Sequence, residues 1–151
     1  MDFVKRTIDL AMKNVEEGGR PFATVIVRDG EIVAESPNLV AQTSDPTAHA
    51  EILAVRDACR TLGTEHLTDC EIYILASPCP MCLGSLYYCS PKRVIYITTR
   101  EDYAPFYRMT ASISSSIRSM PNMRNRSRNA GCRWCSESMT ARSTCTGAGR
   151  S

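Results

Sequence analysis

Glu71-Ile72-Tyr73-Ile74-Leu75-Ala76-Ser77-Pro78-Cys79-Pro80-Met81-Cys82 is the stretch whose reading decides the fold. Its first six residues are β-branched, aromatic or apolar after the leading Glu71, which predicts a strand. Ser77-Pro78 then reads as an N-cap with proline at the first helical position, opening a helix that carries Cys79 and Cys82 to about Cys89. A second strand follows from Arg93 to Thr99. Strand, helix and strand in succession imply a right-handed crossover and parallel pairing.

Upstream, the periodicities change in a consistent order. Phe3, Val4, Ile8, Ala11, Met12 and Val15 recur at helical spacing and Gly18-Gly19 supplies a stop, so residues 2–17 are predicted as an amphipathic helix with one face in the core. Phe22 to Arg28 and Glu31 to Ser36 are β-rich runs joined by Asp29-Gly30, a pair that tolerates the positive φ of a type I′ turn. Residues 37–47 hold two prolines and deliver the chain to a helix from about Thr47 to Leu62, closed by Gly63, with His49 and Glu51 in its first turn. The whole reads as α/β, a mixed sheet covered by helices.

The chain has 151 residues, enough for one domain with a substantial core. No apolar run approaches the ~20 residues of a spanning helix, and Met1 leads directly into the amphipathic pattern, so no membrane and a cytoplasmic location are expected. Eight cysteines in a chain without a secretory leader are expected to be reduced thiols. The formal charge of +2 conceals a division. Residues 1–108 hold 11 Lys+Arg against 15 Asp+Glu, while residues 109–151 hold 7 against 1. An acidic body is a poor footprint for a phosphate backbone, so nucleic acid is not the expected partner. After Arg108, Ser, Arg, Asn, Thr and Gly dominate and Phe and Leu vanish, so 109–151 is expected to lack a core of its own, beside a folded 1–108.

One imidazole, His49, and two thiols, Cys79 and Cys82, are three zinc-type ligands; three protein ligands with the fourth position left to water is the arrangement of a catalytic zinc. Cys79 and Cys82, at i and i+3, face the same way on a helix turn. At a helix N-terminus both present readily as thiolates. Glu51, two residues past the imidazole, is placed to move protons as a general acid–base. Each piece alone has a plainer reading, as a buried Cys pair or a solvated cap; together, in this order, they point to a catalytic metal centre. Cys132-Arg133-Trp134-Cys135 offers a rival four-thiolate site with Cys79 and Cys82, but that arrangement leaves His49 and Glu51 without a task. Cys59, His66, Cys70 and Cys89 have no second partner at ligand spacing and are expected in the core or on the surface.

His-x-Glu followed by Pro-Cys-x-x-Cys is the signature of zinc nucleobase deaminases. Over nearly all of residues 1–108 the sequence resembles the cytidine-deaminase-like superfamily, and within it the bacterial guanine deaminases. The matching stretches are Gly19-Arg20-Pro21-Phe22, Asp29-Gly30, Pro37-Asn38, Asp45-Pro46-Thr47-Ala48-His49-Ala50-Glu51, Leu67-Thr68-Asp69-Cys70 and Pro78-Cys79-Pro80-Met81-Cys82-Leu83-Gly84. The resemblance implies a three-layer α-β-α fold with a central mixed sheet, a homodimer, and hydrolytic removal of an exocyclic amino group from a small-molecule nucleobase. It also implies that His49, Cys79 and Cys82 bind zinc and that Glu51 shuttles protons. Asn38 would hydrogen-bond the base, Phe22 would wall its ring, and the backbone N–H of Ala50 would contact its carbonyl. Guanine is the first expectation. Ser77 stands where guanine deaminases commonly carry Glu and also occurs in free-cytosine deaminases, which makes cytosine or a related amino-heterocycle the runner-up. The tRNA adenosine deaminases share much of the motif, and a zinc-binding module without activity is the remaining alternative.

The same resemblance fails after Arg108. Relatives with Tyr-Ala-Pro-Phe-Tyr, as at 103–107, tend to continue Arg-Asp-Asp-Arg-Lys-Tyr-Phe, whereas this chain continues Arg108-Met109-Thr110-Ala111-Ser112-Ile113-Ser114. Codons for the latter read one base out of step yield the former. A frameshift after Arg108 is therefore expected, and with it an inactive product as a further alternative.

Overall fold

The computed structural model describes residues 1–103 and Pro105; residues 104 and 106–151, and with them the expectation for the segment 109–151, lie outside the described residues. Helix α1 spans Phe3–Glu16, strands β1 and β2 span Arg20–Arg28 and Glu31–Asn38, and a short helix α2 spans Val40–Thr43. Helix α3 (Ala50–Leu62), β3 (Cys70–Ala76), α4 (Pro80–Cys89), β4 (Arg93–Thr98) and α5 (Arg100–Tyr103) follow.

The sheet order is β2-β1-β3-β4, with β1 antiparallel to both β2 and β3 and β4 parallel to β3. The hairpin and the crossover both stand as the sequence predicts. Asp29 and Gly30 take φ of 52° and 82°, the positive values that a two-residue I′ turn requires.

Alternation along the strands sets the layers. Ile26, Ala34, Ile72 and Ile74 point to one face, where they meet Ala54 and Ala58 of α3 and Leu86 and Cys89 of α4 in a single core cluster. On the other face Tyr73 packs against Phe3 of α1, ring centroids 5.4 Å apart, and Arg6 Nε donates to Glu35 Oε2 at 2.8 Å. The result is the three-layer α-β-α arrangement.

The buried face of α1, two helix starts and one short helix differ from expectation. On α1, Thr7, Ala11 and Asn14 are buried while Val4, Met12 and Val15, expected in the core, are exposed. Helix α4 starts at Pro80 with Cys79 as N-cap, two residues later than the Ser77-Pro78 reading. Proline keeps the residue before it out of the helical region; Cys79, ahead of Pro80, is extended at φ −72°, ψ 168°. Helix α3 starts at Ala50 with His49 as N-cap, because Asp45 Oδ1 accepts from both the backbone N–H and the hydroxyl of Thr47 at 2.8 Å and holds residues 45–47 in a turn. Helix α2 was not foreseen; its single turn ends at Ser44 in the left-handed region.

The remaining cysteines fall as expected. Cys70 and Cys89 are buried and Cys59 half-buried. His66 is half-exposed beside Glu65. Cys132 and Cys135 lie outside the described residues. Among the described residues, no helix is long and apolar enough to cross a membrane.

Candidate metal and catalytic site

Both N-cap positions that face the site carry metal-type ligands instead of the Ser, Thr, Asp or Asn that usually satisfy a helix start. His49 caps α3 and Cys79 caps α4, and neither side chain makes a capping hydrogen bond. Cys82 stands one turn into α4 and is fully buried. The crossover from β3 to α4 and the turn before α3 thus bring three side chains from two helix starts to one point.

His49 Nδ1 lies 3.6 Å from Cys79 Sγ and 3.5 Å from Cys82 Sγ, and the two sulfurs are 3.5 Å apart. Bond lengths of ~2.3 Å to sulfur and ~2.0–2.1 Å to nitrogen at tetrahedral angles place two sulfurs about 3.8 Å apart and sulfur and nitrogen about 3.6 Å apart. The donor set fits zinc in kind and in spacing, and it is the cluster of this type among the described residues.

The side chains by themselves share protons unevenly. The Cys79 thiol is pushed down to about 4, first by its hydrogen bond with Cys82 and then, against the cost of burial, by His49. Cys82 is pushed up by the same hydrogen bond and by burial, and keeps its proton. His49 is raised, chiefly by its hydrogen bond to Cys79. A cation bound by both thiolates displaces these protons, which makes metal uptake pH-dependent.

Glu51 is 7% exposed, in the first turn of α3. Burial raises its pKa; the neighbouring Cys79 charge adds to this, and His49 and Cys82 oppose it. A buried carboxylate sits beside the metal-type cluster without being one of its members.

Two of the expected base contacts, Phe22 and Asn38, lie at the open end of the first hairpin, and the third, Ala50, at the start of α3. Asn38 ends β2, is 2% exposed, and accepts at Oδ1 from Val40 N–H at 3.2 Å. Ala50 is the first residue of α3, where a helix leaves its N–H without an intrahelical partner, and is 1% exposed. Phe22 sits in an irregular part of the β1–β2 pairing, between the Arg20–Asn38 and Ala23–Pro37 pairs.

Tyr103 was not singled out from the sequence. It meets Phe22 edge-on at 5.7 Å, and its pKa is raised by burial first, with Cys79 and Glu51 among the nearby charges. Its signal was available: Thr99 N–H and Oγ1 donate to Asp102 Oδ2 at 2.8 and 2.6 Å, and Asp102 N–H donates to Thr99 Oγ1 at 3.3 Å. That reciprocal cap opens α5 and sets Tyr103 on it.

Residues 1–98 match the family described as the cytidine and deoxycytidylate deaminase zinc-binding region. The sequence is 50% identical to the guanine deaminase of Bacillus subtilis over 103 residues, 68% of this chain and 66% of that protein. It is 40% identical to the tRNA-specific adenosine deaminase of Aquifex aeolicus over 94 residues, 62% of each. The matches therefore span about two thirds or less of these curated relatives. The solved structure of the Bacillus subtilis guanine deaminase superposes with a TM-score of 0.66 at 39% identity, covering 80% of this chain and 92% of that one.

Proposed function

Because the chain belongs to the cytidine and deoxycytidylate deaminase zinc-binding family, we propose that it is a hydrolytic deaminase of a free nucleobase, guanine first. Zinc is the family's metal, and we assign its ligands as His49, Cys79 and Cys82. The observation that carries the reading is the pairing of that cluster with a buried carboxylate, Glu51, two residues past the histidine. A structural zinc site would have no use for a buried, non-ligating acid.

When bound, zinc in such a site supplies the Lewis acidity that makes water a nucleophile near neutral pH. Glu51 takes the proton from the attacking water and delivers it to the base. The new C–O bond forms at the carbon bearing the amino group, the C–N bond breaks, and ammonia leaves with the transferred proton; guanine and water become xanthine and ammonia. Phe22 and Tyr103 wall the ring, the Asn38 side chain hydrogen-bonds it, and the Ala50 N–H donates to its carbonyl. Each of these contacts binds the base, a contribution that appears in KM.

The free base over tRNA is favoured by the higher identity to the guanine deaminase and by the excess of acidic residues over 1–108. Cytosine or a related amino-heterocycle is the next substrate, on the strength of Ser77. The tRNA reading rests on the Aquifex relative. A homodimer is proposed on the family resemblance, and a cytoplasmic location on the expected reduced thiols. Ammonia release from guanine, cytosine, adenine and a tRNA anticodon stem-loop, measured beside zinc content, tests the proposal. Release from guanine above all others is the expected result; release from the stem-loop alone would replace the free base with tRNA, and bound zinc with no release from any would leave a binding module.

A further inference from the structure

Helix α1 has two buried polar side chains that its apolar stripe does not explain, Thr7, whose hydroxyl donates to the Phe3 carbonyl of its own helix, and Asn14, whose partners lie outside the helix. Asn14 is 1% exposed, and its amide is fully engaged. Nδ2 donates to the carbonyl oxygens of Arg20 and Asn38 at 2.7 and 2.8 Å, and Oδ1 accepts from Gln42 Nε2 at 2.8 Å. The Asn14 carbonyl in turn accepts from Gly19 N–H at 2.7 Å. An apolar residue of the same size would serve helix-on-sheet packing without needing three partners, and asparagine is a poor helix former.

The two carbonyls on Nδ2 are not arbitrary. Arg20 and Asn38 are partners across the β1–β2 ladder, and the next pair is Ala23 with Pro37, so Pro21 and Phe22 are the extra residues of a bulge. Bulges re-aim side chains next to active sites. One amide therefore clips the ladder closed at the point where the bulge begins, holding the backbone of Asn38 on one side and the approach to Phe22 on the other.

Gly19 belongs to the same device. A Cβ there would overlap Gln42 Nε2 and Asn14 Oδ1, whereas Gly18, at φ +82°, has open space and is needed for its backbone angle. Two adjacent glycines thus have separate reasons.

We propose that Asn14 is a positioning residue for base binding: it fixes the Arg20–Asn38 pair so that Asn38 and Phe22 face the base. The proposal rests on the reading of those two residues as base contacts. It predicts a binding defect, because the metal ligands and Glu51 are held by other elements.

The test uses the full zinc-loaded chain with Asn14→Ala and, separately, Gly19→Ala, which keeps the asparagine but crowds it out of place. Ala11→Gly, a change in the same helix away from the network, controls for lost stability. Ammonia release from guanine and hydrogen exchange at the Val40 amide, which Asn38 Oδ1 accepts from, are the readouts. Both variants should raise KM about tenfold, the effect of one lost hydrogen bond at ~1.4 kcal/mol per decade, with kcat and zinc content near the parent, and should speed exchange at Val40; Ala11→Gly should lower Tm and leave KM and exchange unchanged. Lower Tm with parental KM and parental Val40 exchange in both variants would make Asn14 a fold brace and overturn the proposal. If the parent releases no ammonia from guanine, the assignment of substrate fails by itself, and Val40 exchange still decides the clamp: faster in both variants supports it, and unchanged overturns it.

Discussion

Glu51→Gln should abolish most of the turnover while leaving the metal in place. The side chain is 7% exposed and the amide matches it in size, so the change creates neither a cavity nor an overpacked site. The ligand atoms of His49, Cys79 and Cys82 lie within 4.8 Å of one another without any contribution from Glu51, so zinc should remain at one per chain. What is lost is the proton carrier. A positioned general acid–base is worth ~10²–10⁴ in rate, or about 2.7–5.5 kcal/mol at 1.36 kcal/mol per decade. Because the amide cannot supply a transferable proton, kcat should fall by that factor with KM little changed. Steady-state ammonia release and metal analysis on the same preparations measure both quantities. Turnover within about threefold of the parent would refute the assigned role, and loss of zinc together with turnover would place Glu51 among the ligands.

Cys82→Ala should drop zinc below stoichiometry, since the fully buried thiol is one of the three proposed ligands; unchanged zinc content would move the site elsewhere. Thr24→Val should stabilise the protein by about 1 kcal/mol, because the buried Thr24 Oγ1 has no hydrogen-bond partner among the described residues and valine keeps the shape; a lower Tm would show that the hydroxyl is bonded through a buried water. Glu71 is held below the usual carboxylate range, first by the Arg93 guanidinium at 2.9 Å, so its contribution is present above the unfolded pKa of ~4.3 and is lost as pH falls through the folded value. Glu71→Gln should flatten acid unfolding below about pH 4.5, by no more than ~1 kcal/mol for a partly exposed pair; an unchanged acid limb in urea melts would show that the pair contributes nothing. We further infer that 109–151 is read out of frame: a chain carrying the shifted frame after Arg108 should outperform this one in guanine turnover at equal zinc content, and equal turnover would make the recorded sequence a genuine variation.

The parts of the fold that the sequence discloses are those in which one period runs unbroken. The span of α1, the Asp29-Gly30 turn and the strands flanking Pro80–Cys89 each depend on local chemistry that nothing distant overrides, whereas the buried face of α1 does not follow its apolar stripe: Thr7, Ala11 and Asn14 are inside and Val4, Met12 and Val15 are exposed. Helix starts are less legible where the cap position is given to function. His49 and Cys79 lack the side chains that announce a cap, so Thr47 and Ser77, which look the part, draw the expected boundaries outward. That His49, Cys79 and Cys82 come together was readable because ligand chemistry restricts residue type and spacing. The Asn14 network was not: its partners are backbone carbonyls 6 and 24 residues away, and a carbonyl leaves no trace in residue identity.

The arrangement separates metal chemistry from choice of substrate. All three ligands and Glu51 come from the starts of α3 and α4, and the residues behind them, Ala54, Ala58, Leu86 and Cys89, sit in one core cluster with Ile26, Ile72 and Ile74. The walls of the proposed base site come from elsewhere: the bulge at Pro21-Phe22, the end of β2 at Asn38, and Tyr103 beyond β4. Side-chain hydrogen bonds help to hold these segments, from the Asn14 amide on one side and the Thr99–Asp102 cap on the other. Core packing resists change one methylene at a time, whereas a segment that leans on a side-chain hydrogen bond shifts when that bond is lost. Substitutions at Asn14, Gly19, Thr99 or Asp102 should therefore alter which base is accepted while zinc is retained, and a new amino-heterocycle specificity is reached through them sooner than through the cluster that holds the metal.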